Sequence, residues 1–229
     1  MSAGSIADNL MAVASRIEEA AARADRDSGQ VTLVAVSKTK PAHMIAEAVE
    51  AGVTDVGENK VQEAGGKFEE LGAICRWHMV GHLQRNKVRA AVSTFDMIHS
   101  VDSVELAREI NRRAGERQKR QKVLVEVNIG GDEAKWGAQP SEAHDLVVAI
   151  ASMPNIALCG LMTMPPWTDD PEGARPHFRA LRQLRDRLSA ELAVPLDELS
   201  MGMTHDFEVA VEEGATLVRV GTAIFGERG

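Results

Sequence analysis

VTLVAVSKTKPAHMIAEAVEAGVTDVGEN, residues 31–59, reads as strand, helix, strand. VTLVAVSK (31–38) is a near-continuous apolar run, the pattern of a strand buried on both faces. Pro41 stands where a helix opens, Met44, Ile45, Ala48 and Val49 supply that helix's apolar face, and Gly52 can close it. TDVGEN (54–59) is the next strand.

The alternation continues on both sides. Upstream, Ile6, Leu10, Val13 and Ile17 stripe one face of a helix. Downstream come a helix over 60–71, strand ICRWHMVG (74–81), a helix over 84–93 and strand DMIHS (96–100). Asp102 with Glu105 predicts a capping box at the start of the next helix. Strand KVLVEVNIG (122–130) follows, and Pro140 starts a helix running to Met153. Strand IALCGLMTM (156–164), a helix over 170–192, and strands ELSMGMT (198–204) and TLVRVGT (216–222) complete the series, with Gly214 ending the last intervening helix. Strands that alternate with helices pair in parallel through right-handed crossovers. Eight such units predict a (β/α)8 TIM barrel with an extra N-terminal helix, one domain over 1–229. The first strand is followed by no GxGxxG, which counts against a dinucleotide-binding sheet.

Composition narrows the function. The 229 residues are 44% hydrophobic and 26% charged, ordinary for a globular chain with a sizeable core. A net charge of −8 argues against nucleic acid and anionic membranes as partners. No apolar run is long enough to span a membrane, and MSAGSIADNLMAVASRIEEA lacks the basic-then-apolar layout of a secretory signal, so a cytoplasmic protein is expected. Cys75 and Cys159 lie in apolar stretches without a CxxC partner and are expected to stay reduced, with no zinc site. There is no tyrosine, which removes the phenol as an acid or base.

Barrels of this kind carry their sites at the carboxyl ends of the strands. Lys38 ends the first strand, where partial desolvation would lower its pKa and free a nucleophilic amine for a Schiff base; the plainer reading is a lysine snorkelling into solvent. Glu58 and Asn59 end the second strand, His78 and His82 bracket the end of the third, His99 and Ser100 close the fourth, and Asn128 the fifth. His78 is a candidate contact, or a core histidine with a satisfied ring. The seventh and eighth strand ends bring Ser200, Thr204, Arg219, Gly221 and Thr222, with Gly202, into a candidate phosphate cup; the alternative is glycines that serve only the turns. The basic run Arg108, Arg112, Arg113, Arg117, Lys119, Arg120, Lys122 is read as a solvated face.

LVAVSKTKP (33–41), GENKVQEA (57–64), WHMVGHLQRNKVR (77–89), HSVDS (99–103), VEVNIGGDEAKWG (125–137), GLMTM (160–164) and LSMGMTHDFEVAVEEGATLVRVGTAIFG (199–226) together closely resemble the pyridoxal 5′-phosphate homeostasis protein family. The resemblance implies an alanine-racemase-like barrel that holds pyridoxal 5′-phosphate as a Schiff base, carrying the cofactor with no established reaction of its own. By motif position it implies Lys38 as the Schiff-base residue, Asn59 beside the ring, and Ser200, Met203, Thr204, Arg219, Gly221 and Thr222 around the cofactor. Trp136 departs from the small residue common in the fifth loop, and Thr204 stands where serine is common. Apo-enzymes requiring the cofactor are the partners this implies, and a monomer is expected. The competing readings are a pyridoxal-phosphate-dependent racemase or decarboxylase, for which the usual tyrosine is missing, and a Schiff-base aldolase.

Overall fold

The computed structural model describes residues 4–132 and 136–227. Eight parallel strands close into a barrel in sequence order: β1 (Thr32–Val36), β2 (Asp55–Glu58), β3 (Arg76–Met79), β4 (Met97–Val101), β5 (Gln121–Glu126), β6 (Ile156–Met162), β7 (Glu198–Met203) and β8 (Leu217–Val220). The seam is the pairing of β1 with β8, Val34 opposite Arg219. Around it run α1 (Ile6–Arg23), α2 (Ala42–Glu50), α3 (Val61–Leu71), α4 (Val88–Thr94), α5 (Val104–Glu116), α6 (Ala143–Ala151), α7 (Arg175–Leu192), α8 (Phe207–Glu212) and the short α9 (Thr222–Phe225). The predicted barrel and its additional first helix are both present.

Two apolar layers follow from the period-two alternation of strand side chains. One set, including Ala35, Val56, Trp77, Ile98, Val123, Val125 and Val218, meets the helices in a continuous buried layer. The other, Val34, Val36, Val80, Met97, Leu124, Met162 and Leu217, forms a smaller cluster inside the barrel. Gly160 lets β6 approach β7, because a Cβ there would collide with the Glu198 backbone. Helix α1 is capped by a reciprocal Ser5–Asp8 capping box and buries Ile6, Leu10, Val13 and Ile17, the predicted stripe. Asn9 Nδ2 donates to the Ile224 carbonyl at 2.9 Å, tying α1 to α9.

Several local expectations need correction. Pro41 is the N-cap of α2 rather than its first residue, and Gly52 closes that helix as expected at φ +105°. The N-cap of α5 is Ser103, so the Asp102–Glu105 box does not form; Asp102 faces His82 instead. The segment after Pro140 is a turn, with α6 starting at Ala143. Residues 85–87 and 171–174 form single 3₁₀ turns ahead of α4 and α7. Both cysteines are free and half-buried, and burial, with Asp55 and Asp96 nearby, pushes the Cys75 thiol up to about 12.

Candidate functional site

The carboxyl ends of the strands open into a cavity of about 740 Å³. Of the residues singled out from the sequence, Lys38, Asn59, His82, Met203, Thr204, Arg219, Gly221 and Thr222 line it. The structure therefore brings together strand ends from β1, β2, β3, β7 and β8. Its described lining includes four cationic side chains, Arg16, Lys38, Lys40 and Arg219, and no carboxylate. In a chain of net charge −8 that is a local inversion, and it suits an anionic ligand.

The loop that presents Lys38 is held from behind. Buried Lys67 on α3 donates from Nζ to Glu58 Oε1 at 2.6 Å, to Glu63 Oε1 at 2.8 Å and to the Ser37 carbonyl at 2.9 Å. Ser37 Oγ donates to the same Glu58 oxygen, and the Thr39 N–H donates to Glu63 Oε1, each at 2.5 Å. Both neighbours of Lys38 are thus fixed, with Thr39 held at φ +66°. Burial raises the Glu58 carboxyl, opposed by the bonds from Lys67 and Ser37. Gly81 allows the next contact: its missing Cβ would lie 2.5 Å from the Asn59 carbonyl oxygen.

On the other side of the mouth the Gly221 N–H donates to Thr204 Oγ1 at 3.2 Å, and Thr222 Oγ1 donates to the same oxygen at 3.2 Å. Gly202 makes the preceding turn possible at φ +89°, where a Cβ would come within 2.5 Å of Ala210 Cβ. Hydroxyls, a glycine backbone and nearby cations in one strip form a donor set of the type that phosphate requires.

His78 and Ser200 are not on the cavity wall. They lie buried below it, in a row of hydrogen bonds that crosses the barrel interior. Arg219 donates to Ser200 Oγ at 2.5 Å and to the Thr163 carbonyl at 2.9 Å. Ser200 Oγ is 2.8 Å from His99 Nδ1, His99 Nε2 is 2.8 Å from His78 Nδ1, and His78 Nε2 is 2.9 Å from Asp55 Oδ1. Arg76 closes the far end with 2.7 Å and 2.6 Å bonds to the two Asp55 oxygens. The ends set the direction, since an arginine only donates and a carboxylate only accepts. Ser200 accepts from Arg219 and donates to His99 Nδ1; His99 Nε2–H donates to His78, and His78 Nε2–H donates to Asp55. This assignment gives every group in the row a partner. Burial, then the neighbouring His78 and the Arg219 cation, hold His99 well below the usual imidazole range, in keeping with an accepting Nδ1. Burial alone would raise Asp55, but bonds from His78, Arg76 and Thr54 outweigh it and keep the carboxyl well below its ordinary value. Burial lowers Arg219 to about 10, opposed by Glu126 and Asp206, which leaves it a cation at neutral pH.

Other wall residues had weaker sequence signals. Trp136, noted only as a departure in its loop, stacks on His82 with centroids 3.6 Å apart, and Trp167 lies 4.4 Å from His205. Arg16 comes from the polar face of α1 and carries no local signature; it pairs with Glu208 at 2.8 Å. In the basic run, Arg112 and Arg113 are tied to Glu109 and Glu116, as a solvated face would be.

The family model described as the alanine racemase N-terminal domain matches residues 9–229. A pyridoxal phosphate homeostasis protein of Aquifex aeolicus is 46% identical over 222 residues, covering 96% of this chain and 97% of its own. The protein of that name from Escherichia coli is 41% identical over 229 residues, covering 97% of each. The solved structure of PipY from Synechococcus elongatus, with PLP bound, is similar at a TM-score of 0.83 and 37% identity, over 92% of this chain and 100% of that one.

Proposed function

The chain belongs to the alanine racemase N-terminal domain family and, within it, to the pyridoxal phosphate homeostasis proteins, and from that premise we propose that it binds pyridoxal 5′-phosphate in the barrel mouth, holds it on Lys38 as a Schiff base, and delivers it without turnover of its own. The observation that carries this reading is one cavity that joins a strand-end amine to a cationic, hydroxyl-bearing strip. Bound, the cofactor supplies an aldehyde that condenses with amines and a phosphate dianion that anchors it.

Each role falls to a residue of this chain. Thr204, Gly221 and Thr222 take the phosphate, and Asn59 and Met203 flank the ring. Arg219, on the cavity wall, would face the ring nitrogen, while His78 and Ser200 act through Arg219 rather than by touching the ligand. A donor-only cation facing the ring nitrogen opposes its protonation and weakens the electron sink that carbanion chemistry needs, which favours carriage over catalysis. The same reading has the protein act as a cytoplasmic monomer over its single barrel, with apo-enzymes that need the cofactor as recipients.

The test is the visible absorption of the protein titrated with pyridoxal phosphate, before and after borohydride, with the labelled peptide mapped. The label is expected on Lys38, and Lys38→Ala should lose the imine band. A label on Lys40 or Lys60 would overturn the assignment. Pyridoxal without phosphate should bind at least ~100-fold more weakly, because several charge-assisted bonds of roughly 1.5–3 kcal/mol are lost.

A further inference from the structure

Beside the mouth lies a second cavity of about 300 Å³, with Glu126 from the end of β5 among its lining residues. It is walled by Trp136, Trp167, His205 and the pair Pro165–Pro166. Glu126 is buried, and its Oε2 has no hydrogen-bond partner. A buried carboxyl oxygen without a donor is costly, so its position calls for an explanation.

The surroundings point to a cation. Asp206, also buried, lines the same cavity, and Asp102 is close enough for its charge to act on Glu126. Among the described residues, no lysine or arginine forms an ion pair with Glu126, Asp102 or Asp206; Asp102 accepts from the Ser103 hydroxyl at 3.1 Å and lies 3.7 Å from His82, and Asp206 accepts from the Met203 N–H. Arg219 attracts Glu126 from a distance, but its hydrogen bonds go to Ser200 and Thr163. No group among the described residues has the arrangement to hold a metal ion. The chemistry that suits this wall is an organic cation that donates hydrogen bonds to the carboxyl and lays carbon against indole and proline.

We propose that this cavity binds the ammonium group of a primary alkylamine, with Glu126 accepting its N–H bonds and Trp136 and Trp167 covering its alkyl chain. The indoles are 58% and 68% exposed, so the chain can enter from solvent. The cavity shares Trp136, Met164, Trp167, Met203 and His205 with the larger mouth, which makes the bound amine a neighbour of whatever Lys38 holds. That biological sense rests on the cofactor reading; the binding itself does not. Burial, then Asp102, raises Glu126 to about 7 against the pull of Arg219. An ammonium group would favour the ionised carboxylate and so displace a proton on binding.

The experiment titrates the full chain, freed of cofactor, with n-butylammonium by calorimetry slightly below neutral pH, in two buffers of different ionisation enthalpy. Expected are one saturable site, proton release into the buffer, and affinity about tenfold or more lower in Glu126→Gln. Tetramethylammonium, which has the charge but no N–H, should bind the wild-type protein about tenfold more weakly. Non-saturable binding, equal affinities for the two cations, or an unchanged affinity in a folded Glu126→Gln would each overturn the proposal. The cation comparison needs no variant, so a misfolded mutant does not rescue it. Because no cofactor is present, failure here leaves the pyridoxal phosphate spectrum to stand or fall separately.

Discussion

Glu126 gives stability a pH dependence opposite to that of an ordinary surface carboxyl. Burial, then the charge of Asp102, raises it to about 7, whereas in an unfolded chain a glutamate ionises at roughly 4.3. Between those values the folded protein keeps a proton that the unfolded chain has released. Stability therefore falls as pH rises through that window, by an amount on the order of 3 kcal/mol that is fully lost above the folded value. Glu126→Gln should abolish this term: urea unfolding should show the variant gaining on wild type from about pH 5 to about pH 8. A constant difference across that range would contradict the assignment. Ser200 makes a different prediction. Ser200→Ala leaves Arg219 without one acceptor and His99 Nδ1 without its donor, both on buried side chains. The expected cost is about 1–3 kcal/mol in urea unfolding, with a changed ¹⁵N shift at His99 Nδ1 that simple loss of packing would not produce.

Among the secondary elements, α3 does more than cover β2. Through Lys67 it clamps the residues on both sides of Lys38, so the placement of the reactive amine depends on a helix that contributes nothing to the cavity wall. Lys67→Met would keep the length and the burial while stranding Glu58, which is itself fully buried. Breaking a buried pair from one side costs about 3 kcal/mol, and amide exchange at Thr39 should accelerate more than exchange in α7, which the clamp does not touch. Equal acceleration in both would mean that the clamp is merely part of global stability. The missing capping box at α5 carries a related lesson. Asp102 and Glu105 have the right spacing, but Asp102 turns to His82, 3.7 Å away, and Ser103 takes the N-cap position.

Across the barrel, the two ends are joined by the row from Arg76 and Asp55, through His78, His99 and Ser200, to Arg219. It sets polar groups across an interior otherwise filled by Val34, Val36, Val80, Met97, Leu124, Met162 and Leu217. Ligand binding at the mouth should therefore stabilise the barrel as one cooperative unit. At a pyridoxal phosphate concentration 100 times Kd the gain is about 2.7 kcal/mol, which for a chain of this size raises the calorimetric Tm by roughly 5–10 °C. Lys38→Ala should retain part of that shift, because the Thr204–Gly221–Thr222 strip is separate from the amine. A variant with no shift at all would show that the strip does not hold the phosphate by itself.

The eight strands and their parallel order were legible in the chain because each carries a short apolar run bounded by helix-forming sequence, and that pattern is local. Lys38, Thr204, Arg219 and Thr222 could be singled out for the same reason: a polar residue directly after a buried strand has few places to go in a closed barrel. The placement of His78 and Ser200 below the mouth was not legible, since period two gives the face of a strand but not the depth of a residue along the barrel axis relative to other strands. Depth follows from the stagger of the closed sheet, seen in pairings such as Val34 with Arg219 and Gly57 with His78. Lys67 and Glu126 were hidden for a further reason. A charge in a helix or a strand looks solvated or stray until the partner, or the absence of one, is visible across the fold, and those distances belong to contacts between residues far apart in the chain.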